Sequence, residues 1–280
     1  SEAGNILGDL IMKIGIIGAG IVGGTIRDCF EHIHEIFLHD PLLNTSITDV
    51  TDNCDIAYIA VPTPSNEDGG CDTSVVESVL KQLPNGFAAV IKSTIVPGTT
   101  KKLQEKFPNL KLAYSPEFLV ERNRIKDFKN QRILVVGTTH QDIAKLVHEH
   151  HKLAGVLDDA RFFITSSTEA EMVKYTKNNY YALKVIFANQ IYDICEKMDV
   201  DYDIIKTIIT APQDQMIGDS HLEPIMGLRR GFGGKCLPKD TLALQHLAQS
   251  LGVEYLFLQS IQDDNERLRE IETGKMSDVA

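Results

Sequence analysis

The chain has 280 residues, 43% of them hydrophobic and 24% charged, with no Trp; this excludes a peptide-scale motif and wholesale disorder and predicts two globular domains. Its 28 basic and 39 acidic residues leave a net charge of -11, which repels polyphosphate backbones and anionic membrane surfaces, so no nucleic acid and no membrane is expected as a partner. Five scattered cysteines, Cys29, Cys54, Cys71, Cys195 and Cys236, form no C-x-x-C pair, which argues against a disulfide framework and a zinc site and favours a cytoplasmic location.

Residues 1–11 carry no recognisable chemistry, and Met12-Lys13 ahead of an apolar strand reads as a natural start. The apolar run Ile6 to Ile26 is interrupted by Asp9 and Lys13 and diluted by glycine, so it is not expected to span a membrane. From Met12 onward, short apolar runs alternate with amphipathic stretches, the pattern of a parallel sheet with crossover helices. Strands are expected at Lys13–Ile17, Glu35–His39, Ile56–Val61, Ala88–Lys92, Leu110–Tyr114, Arg132–Val136 and near Arg161–Ile164. Near residue 165 the alternation stops. The capping pattern Ser166-Ser167-Thr168-Glu169 then opens a helix that meets no Gly or Pro until about Met198, and a second helix is bracketed by Pro238 and Gly252. The expected fold is therefore α/β: a Rossmann-type doubly wound parallel sheet over 12–164, then a long connecting helix and a smaller all-helical domain over 165–280.

Gly18-Ala19-Gly20-Ile21-Val22-Gly23 follows the first strand and opens a helix, the context in which a glycine turn holds a pyrophosphate at a helix N-terminus. Asp40 lies 22 residues past Gly18 at the end of the second strand, where a carboxylate accepts ribose hydroxyls and repels a 2'-phosphate, so NAD is expected rather than NADP. In the helical part, Gly231-Phe232-Gly233-Gly234-Lys235-Cys236-Leu237-Pro238-Lys239-Asp240 sets a cysteine just before a helix start. The helix amides, Lys235 and Lys239 favour the thiolate, and Asp240 is one turn away to orient a water or move a proton. Lys174 and Asn178, four apart on the long helix, share one face, either as an acid or base with its orienting amide or as a solvated surface. Glu117 and Glu121 follow a strand end, on the side where open parallel sheets keep their ligand crevice.

Over nearly all of Met12 to Arg267 the chain resembles the nucleotide-sugar dehydrogenases, the UDP-glucose and GDP-mannose dehydrogenase family. The resemblance rests on the glycine turn, Val61-Pro62-Thr63-Pro64, Lys92-Ser93-Thr94 with Pro97-Gly98-Thr99, Ser115-Pro116-Glu117-Phe118-Leu119, Lys174-x-x-x-Asn178 and the Gly231–Asp240 segment. It implies NAD-dependent oxidation of a sugar C6 alcohol to a carboxylate in polysaccharide biosynthesis, with Cys236 as nucleophile through a thiohemiacetal and a thioester, and two NADH per turn. By the same resemblance Glu117 is the acid or base of thioester hydrolysis, and Lys174, Asn178 and Asp240 stabilise oxyanions or hold the water. Thr94 lies near the nicotinamide. Val61, Thr63, Pro64, Ser93, Glu121 and Lys239 are matched to the cofactor site; Phe118, Leu119, Gly231, Phe232 and Gly233 are matched to the sugar site.

Family members usually continue into a third, Rossmann-like domain, so this chain is expected to be a short form without that lid, unless a separate chain supplies it. Where the family carries D-x-R, this sequence reads Asp219-Ser220-His221, leaving Arg229 and Arg230 as candidates for the diphosphate. A homodimer is expected through the long helix and helical domain, because Tyr180, Tyr181, Val185, Ile186, Phe187 and Ile191 offer more apolar surface than a small domain covers. Two rival readings differ in class. A two-domain 3-hydroxyacid dehydrogenase would use Lys174 and Asn178 without Cys236, and a non-catalytic NAD-binding or assembly subunit would use neither.

Overall fold

A computed structural model describes residues 11–156, 161–211, 218, 220–227 and 229–271. Contacts divide the chain into two compact units, one holding residues up to Pro64 and Cys71–Lys174, the other holding Ser65–Gly70 and Tyr175 onward. The division thus falls inside the long helix, and one short loop from the first half packs with the second unit.

In the first unit the strands are β1 (Lys13–Ile17), β2 (Glu35–His39), β3 (Ile56–Ile59), β4 (Ala88–Ile91), β5 (Lys111–Tyr114), β6 (Ile133–Gly137) and β7 (Arg161–Thr165). Between them run α1 (Ile21–Phe30), α2 (Ile47–Thr51), α3 (Ser74–Leu80), α4 (Thr99–Lys106), a 3-10 turn (Glu121–Asn123), α5 (Arg124–Lys129) and α6 (Gln141–Leu153). They form one seven-stranded sheet in the order β2-β1-β3-β4-β5-β6-β7. The chain winds outward from β1 to β2, then crosses to β3 on the other side, so the topological switch point lies between β1 and β3. Successive strand residues feed opposite faces: Ile14, Ile16 and Tyr58 pack with Phe30 and Val147, while Ile17, Ala57 and Ile59 pack with Val76 and Leu80. Burial on both faces explains why the strands read as continuous apolar runs. Gly15 has no room for a side chain, since a Cβ there meets Val50 Cγ1 at 2.4 Å.

Two strands depart from the expected parallel sheet, β6 and β7, which run parallel to each other and opposite to β1–β5. β6 pairs antiparallel with β5 at Tyr114 and Gly137. The connection between them carries α5, six residues or about 9 Å long, which packs on α1 through Arg124 to Asp28 (2.7 Å) instead of recrossing the sheet. β6 therefore enters from the end at which β5 leaves.

Three histidines lie in this unit's core around Phe30. His150 Nδ1 is 2.9 Å from the Tyr58 hydroxyl, His34 Nε2 is 3.1 Å from the His150 carbonyl, and His151 Nδ1 is 2.7 Å from the Val147 carbonyl. Burial pulls the His150 imidazole down to about 3 and holds His151 well below its ordinary value. These groups stay neutral in the fold while the unfolded chain takes up protons below about pH 6.5, so their stabilisation is intact above that value and is lost as pH falls from there toward 3. Between pH 7.5 and 5.5, denaturant unfolding is expected to lose about 3 kcal/mol from His150 and His151 together, and about half of that in His150→Gln. A flat profile over that range would mean the imidazoles charge without unfolding.

The second unit is built on α7 (Ser167–Met198), 32 residues long, with α8 (Tyr202–Ile209), the two-residue strands β8 (Ile225–Met226) and β9 (Arg229–Arg230), α9 (Leu237–Ser250) and α10 (Leu256–Arg269). α7 opens with the expected box: Ser166 Oγ accepts from the Glu169 amide (3.3 Å), and Glu169 Oε2 accepts from the Ser166 amide (2.9 Å). Ala182, Val185 and Ile186 form a core with Phe232, Ile261 and Leu268, and Ala188 and Cys195 form a second with Tyr202 and Leu222. The hairpin β8–β9 breaks the expectation of an all-helical second part; strands of two residues leave no periodicity to read. Among the described residues no helix is long and apolar enough to cross a membrane.

Candidate active site

The carboxyl ends of β1 to β5 gather the residues matched to the cofactor. Gly18 follows β1 with φ +100°, its amide donates to the His39 carbonyl (2.8 Å), and a Cβ there would lie 2.4 Å from the Ala60 carbonyl oxygen. Gly23 presses α1 against that turn, since its Cβ would stand 1.8 Å from the Gly18 oxygen. Gly20, at the N-cap of α1, differs: a Cβ there meets nothing within 4 Å. Two glycines are thus needed for packing, and the third leaves open backbone at a helix N-terminus, which fits a pyrophosphate. Ala19, Ile21 and Val22 complete the turn, with Ile21 exposed.

Asp40 ends β2 beside this turn. Its Oδ2 accepts from the Ala19 amide (2.7 Å) and its Oδ1 from the Leu42 amide (2.9 Å), and these bonds hold its carboxyl below the usual carboxylate range. The charge both pins the glycine turn and opposes a 2'-phosphate. NAD is accordingly expected to exceed NADP in kcat/KM by at least about tenfold, or about 1.4 kcal/mol, and equal values would remove Asp40 from the ribose.

Two hydroxyls lace the neighbouring loops together. Thr63 Oγ1 donates to the Thr94 carbonyl and Ser93 Oγ to the Val61 carbonyl, each at 2.7 Å. Val61 is half-buried against the core and Pro64 is exposed. Both hydroxyls are therefore spent on shaping the cofactor-side loops.

Farther along the same edge Glu117 is 5% exposed, its Oε1 accepting from the amides of Phe118 (2.8 Å) and Leu119 (3.3 Å). Lys174, in the first turns of α7, donates to the Glu117 carbonyl at 2.5 Å and lies over the Phe118 ring at 5.8 Å. The fold thus joins Glu117 with Lys174 and separates it from Glu121, which is exposed on the 3-10 turn. Lys92, not singled out as a site residue from sequence, is also here: its Nζ is 3.3 Å from Glu117 Oε2. Its sequence signals are a lysine ending a fully apolar strand and a place in the Lys92-Ser93-Thr94 motif.

Within the second unit, Cys236 is exposed at the N-cap of α9, with Pro238 in the first turn. Asp240, one turn on and 1% exposed, accepts from Asn178 Nδ2 at 2.5 Å through Oδ2, and its carbonyl accepts from Asn179 Nδ2 at 3.3 Å. The other cysteines are placed differently. Cys29, Cys54 and Cys195 are buried, Cys71 is partly covered, and burial pushes the Cys54 thiol up to about 11.

Several residues matched to the ligands also have partners within the protein. Lys239 extends its ammonium to Asp240 Oδ1 (3.0 Å), a partner within its own unit. Phe232 is buried in the core with its amide on Asn265 Oδ1 (2.7 Å), so its ring holds the glycine loop. Gly231 and Gly233 are packed against Asn265 and Arg269 of α10. Arg230 donates to Asn189 Oδ1 (2.9 Å) and pairs with Asp193 (2.8 Å), both on α7; Arg229 is exposed. Asp219 lies outside the described residues. His221 stacks on Tyr181 with ring centroids 4.0 Å apart.

Two profiles of one family cover most of the chain: the NAD binding domain of the UDP-glucose/GDP-mannose dehydrogenase family matches residues 38–154, and its central domain matches residues 168–267. A UDP-glucose 6-dehydrogenase of Rickettsia typhi is 32% identical over 222 residues, 76% of this chain and 49% of its own length. A UDP-glucose 6-dehydrogenase of Bacillus subtilis is 28% identical over 302 residues, 92% of this chain and 63% of its own length. The chain therefore spans about half to two thirds of these relatives. The solved UDP-glucose dehydrogenase of Pyrobaculum islandicum superposes with a TM-score of 0.79 at 26% identity, over 92% of this chain and 68% of that one. A Mycobacterium tuberculosis 3-hydroxyisobutyrate dehydrogenase, 13% identical with a TM-score of 0.67 over 95% of this chain and 97% of that one, shares the fold alone. The cofactor is NAD.

Proposed function

Because the chain belongs to the UDP-glucose/GDP-mannose dehydrogenase family, we propose that it oxidises the C6 alcohol of a nucleotide sugar, UDP-glucose or a near relative, to the uronic acid. Region 12–164 supplies the NAD half of the reaction and region 165–280 the nucleophile. The observation that carries the reading is Cys236: an exposed thiol at a helix N-cap, one turn from a buried carboxylate held by Asn178. A 3-hydroxyacid dehydrogenase has no use for that cysteine, and a non-catalytic subunit has no use for the group around it.

Bound NAD accepts the hydride that leaves C6 in each of the two oxidations. The protein's own groups do the rest. Lys174 takes the hydroxyl proton in the first oxidation and steadies the C6 oxygen, with Asn178 as a further donor. The Cys236 sulfur then bonds to the aldehyde carbon and the aldehyde oxygen takes a proton, giving a thiohemiacetal; the second oxidation converts it to a thioester. Glu117 removes a proton from the attacking water, the C–S bond breaks, the carboxylate leaves and the Cys236 thiol is restored. Asp240 orients that water. Thr94 belongs with the nicotinamide, and Phe118, Leu119 and Arg229 with the sugar nucleotide. A panel of UDP- and GDP-sugars assayed for NADH formation tests the reading: turnover of at least one is expected, and turnover of 3-hydroxy acids in their place would favour the rival.

We also propose a homodimer on α7. Val185 and Ile186 are buried within the unit and Ile191 partly so, because the rest of the unit packs on that side of the helix. The exposed surface is instead a row at seven-residue spacing, Val173, Tyr180, Phe187 and Ile194. Such a row suits a second helix, and at ~25 cal/mol per Å2 its exposure is costly. Light scattering is expected to give twice the chain mass, and Phe187→Glu to halve it; a wild-type monomer would contradict the dimer.

A further inference from the structure

Lysine is almost never fully buried without a partner. Lys92, at the end of β4, is 3% exposed, and no catalytic role has yet been given to it. Its Nζ lies 3.3 Å from Glu117 Oε2, 3.4 Å from the Pro116 carbonyl and 3.5 Å from Ser115 Oγ, all on the strand-end segment that follows β5. The two charged side chains are 2% and 6% exposed. The two carboxylate oxygens differ: Oε1 is tied to the amides of Phe118 and Leu119, while Oε2 has the ammonium at ion-pair distance and no hydrogen-bond partner among the described residues. Oε2 is therefore the oxygen left to take a proton. Replacing a buried ion pair with apolar residues is often neutral or stabilising, so stability alone does not account for these charges.

We propose that Lys92 is a positioning residue for Glu117, holding the buried carboxylate with Oε2 turned toward the ammonium, so that it serves as the base of thioester hydrolysis. The inference rests on the reading of Glu117 given above. The titratable groups facing the pair are His151 of α6, which burial keeps neutral, Cys29 of α1, and Lys174 of α7 on the Glu117 carbonyl. Among these, Lys92 is the cation set against the carboxylate itself. Its loss leaves the buried carboxylate without its counter-charge and free to turn, and thioester hydrolysis slows.

The test compares wild type, Glu117→Gln, Lys92→Met, Lys92→Arg and the double variant K92M/E117Q with UDP-glucose and NAD, following kcat, KM for NAD and intact-protein mass. Lys92→Met is expected to lower kcat by about thirtyfold or more with KM for NAD within about twofold. The covalent sugar adduct should accumulate as in Glu117→Gln, and Lys92→Arg, which keeps the positive charge, should recover most of the wild-type rate without adduct. The double variant removes both charges and so keeps the test open even where Lys92→Met does not fold; it should be no slower than Glu117→Gln. Adduct in Glu117→Gln but a wild-type rate and no adduct in Lys92→Met would overturn the role of Lys92 and leave the proposed function standing. A double variant tenfold slower than Glu117→Gln would likewise overturn it, because Lys92 would then act apart from Glu117. No adduct in Glu117→Gln would overturn both.

Discussion

Cys236→Ser is expected to lower the rate of the complete oxidation by at least about a thousandfold, because a serine hydroxyl at neutral pH is a far weaker nucleophile toward an aldehyde than a cysteine sulfur. The position itself tolerates the change. Cys236 is exposed at the N-cap of α9, where serine is a favoured residue, so thermal stability should hold or rise slightly. Loss of activity without loss of fold separates a chemical role from a packing one. Steady-state NADH production and a thermal melt of the same preparation measure both; a variant within tenfold of wild type would take the nucleophile's role from Cys236.

Glu117→Gln should fail later in the reaction. The amide keeps an oxygen for the Phe118 and Leu119 amides but cannot accept the proton of an attacking water, so hydrolysis should slow by about a hundredfold or more while thioester formation continues. The expected signature is a burst of NADH followed by near arrest, with a sugar adduct on Cys236 in the intact mass. Lys92 faces the neutralised side chain in this variant and loses its counter-charge, so some loss of thermal stability should accompany the kinetic effect. Slow turnover without a burst or adduct would move the defect to the oxidation steps.

Much of the first unit is legible from sequence because its signals are local. Lys13–Ile17 and Glu35–His39 read as strands to the residue, and the Ser166 and Glu169 box marks the start of α7. Strand direction is not local. The run ending at Val136 looks the same parallel or antiparallel, and what turns β6 round is the path of α5 over α1. Nor is a polar residue's partner local. Glu117 and Glu121 look alike in sequence, yet one is buried against Lys92 and the other is exposed. Arg230 reads as a free positive charge until Asn189 and Asp193, some forty positions earlier on α7, are seen to occupy it. His34, His150 and His151 read as polar punctuation, and only the packing around Phe30 makes them core residues. The glycine turn was readable as a group, but the division of labour within it, packing at Gly18 and Gly23 and open backbone at Gly20, comes from the surrounding atoms.

The central claim is a double oxidation through Cys236, and the stoichiometry of reduced cofactor tests it most directly. With limiting UDP-glucose, or whichever panel sugar the chain turns over, and excess NAD, the reaction run to completion is expected to yield two NADH per sugar and a uronic acid. One NADH per sugar, with the rate unchanged in Cys236→Ser, would contradict the account and assign the chain a single alcohol oxidation centred on Lys174 and Asn178.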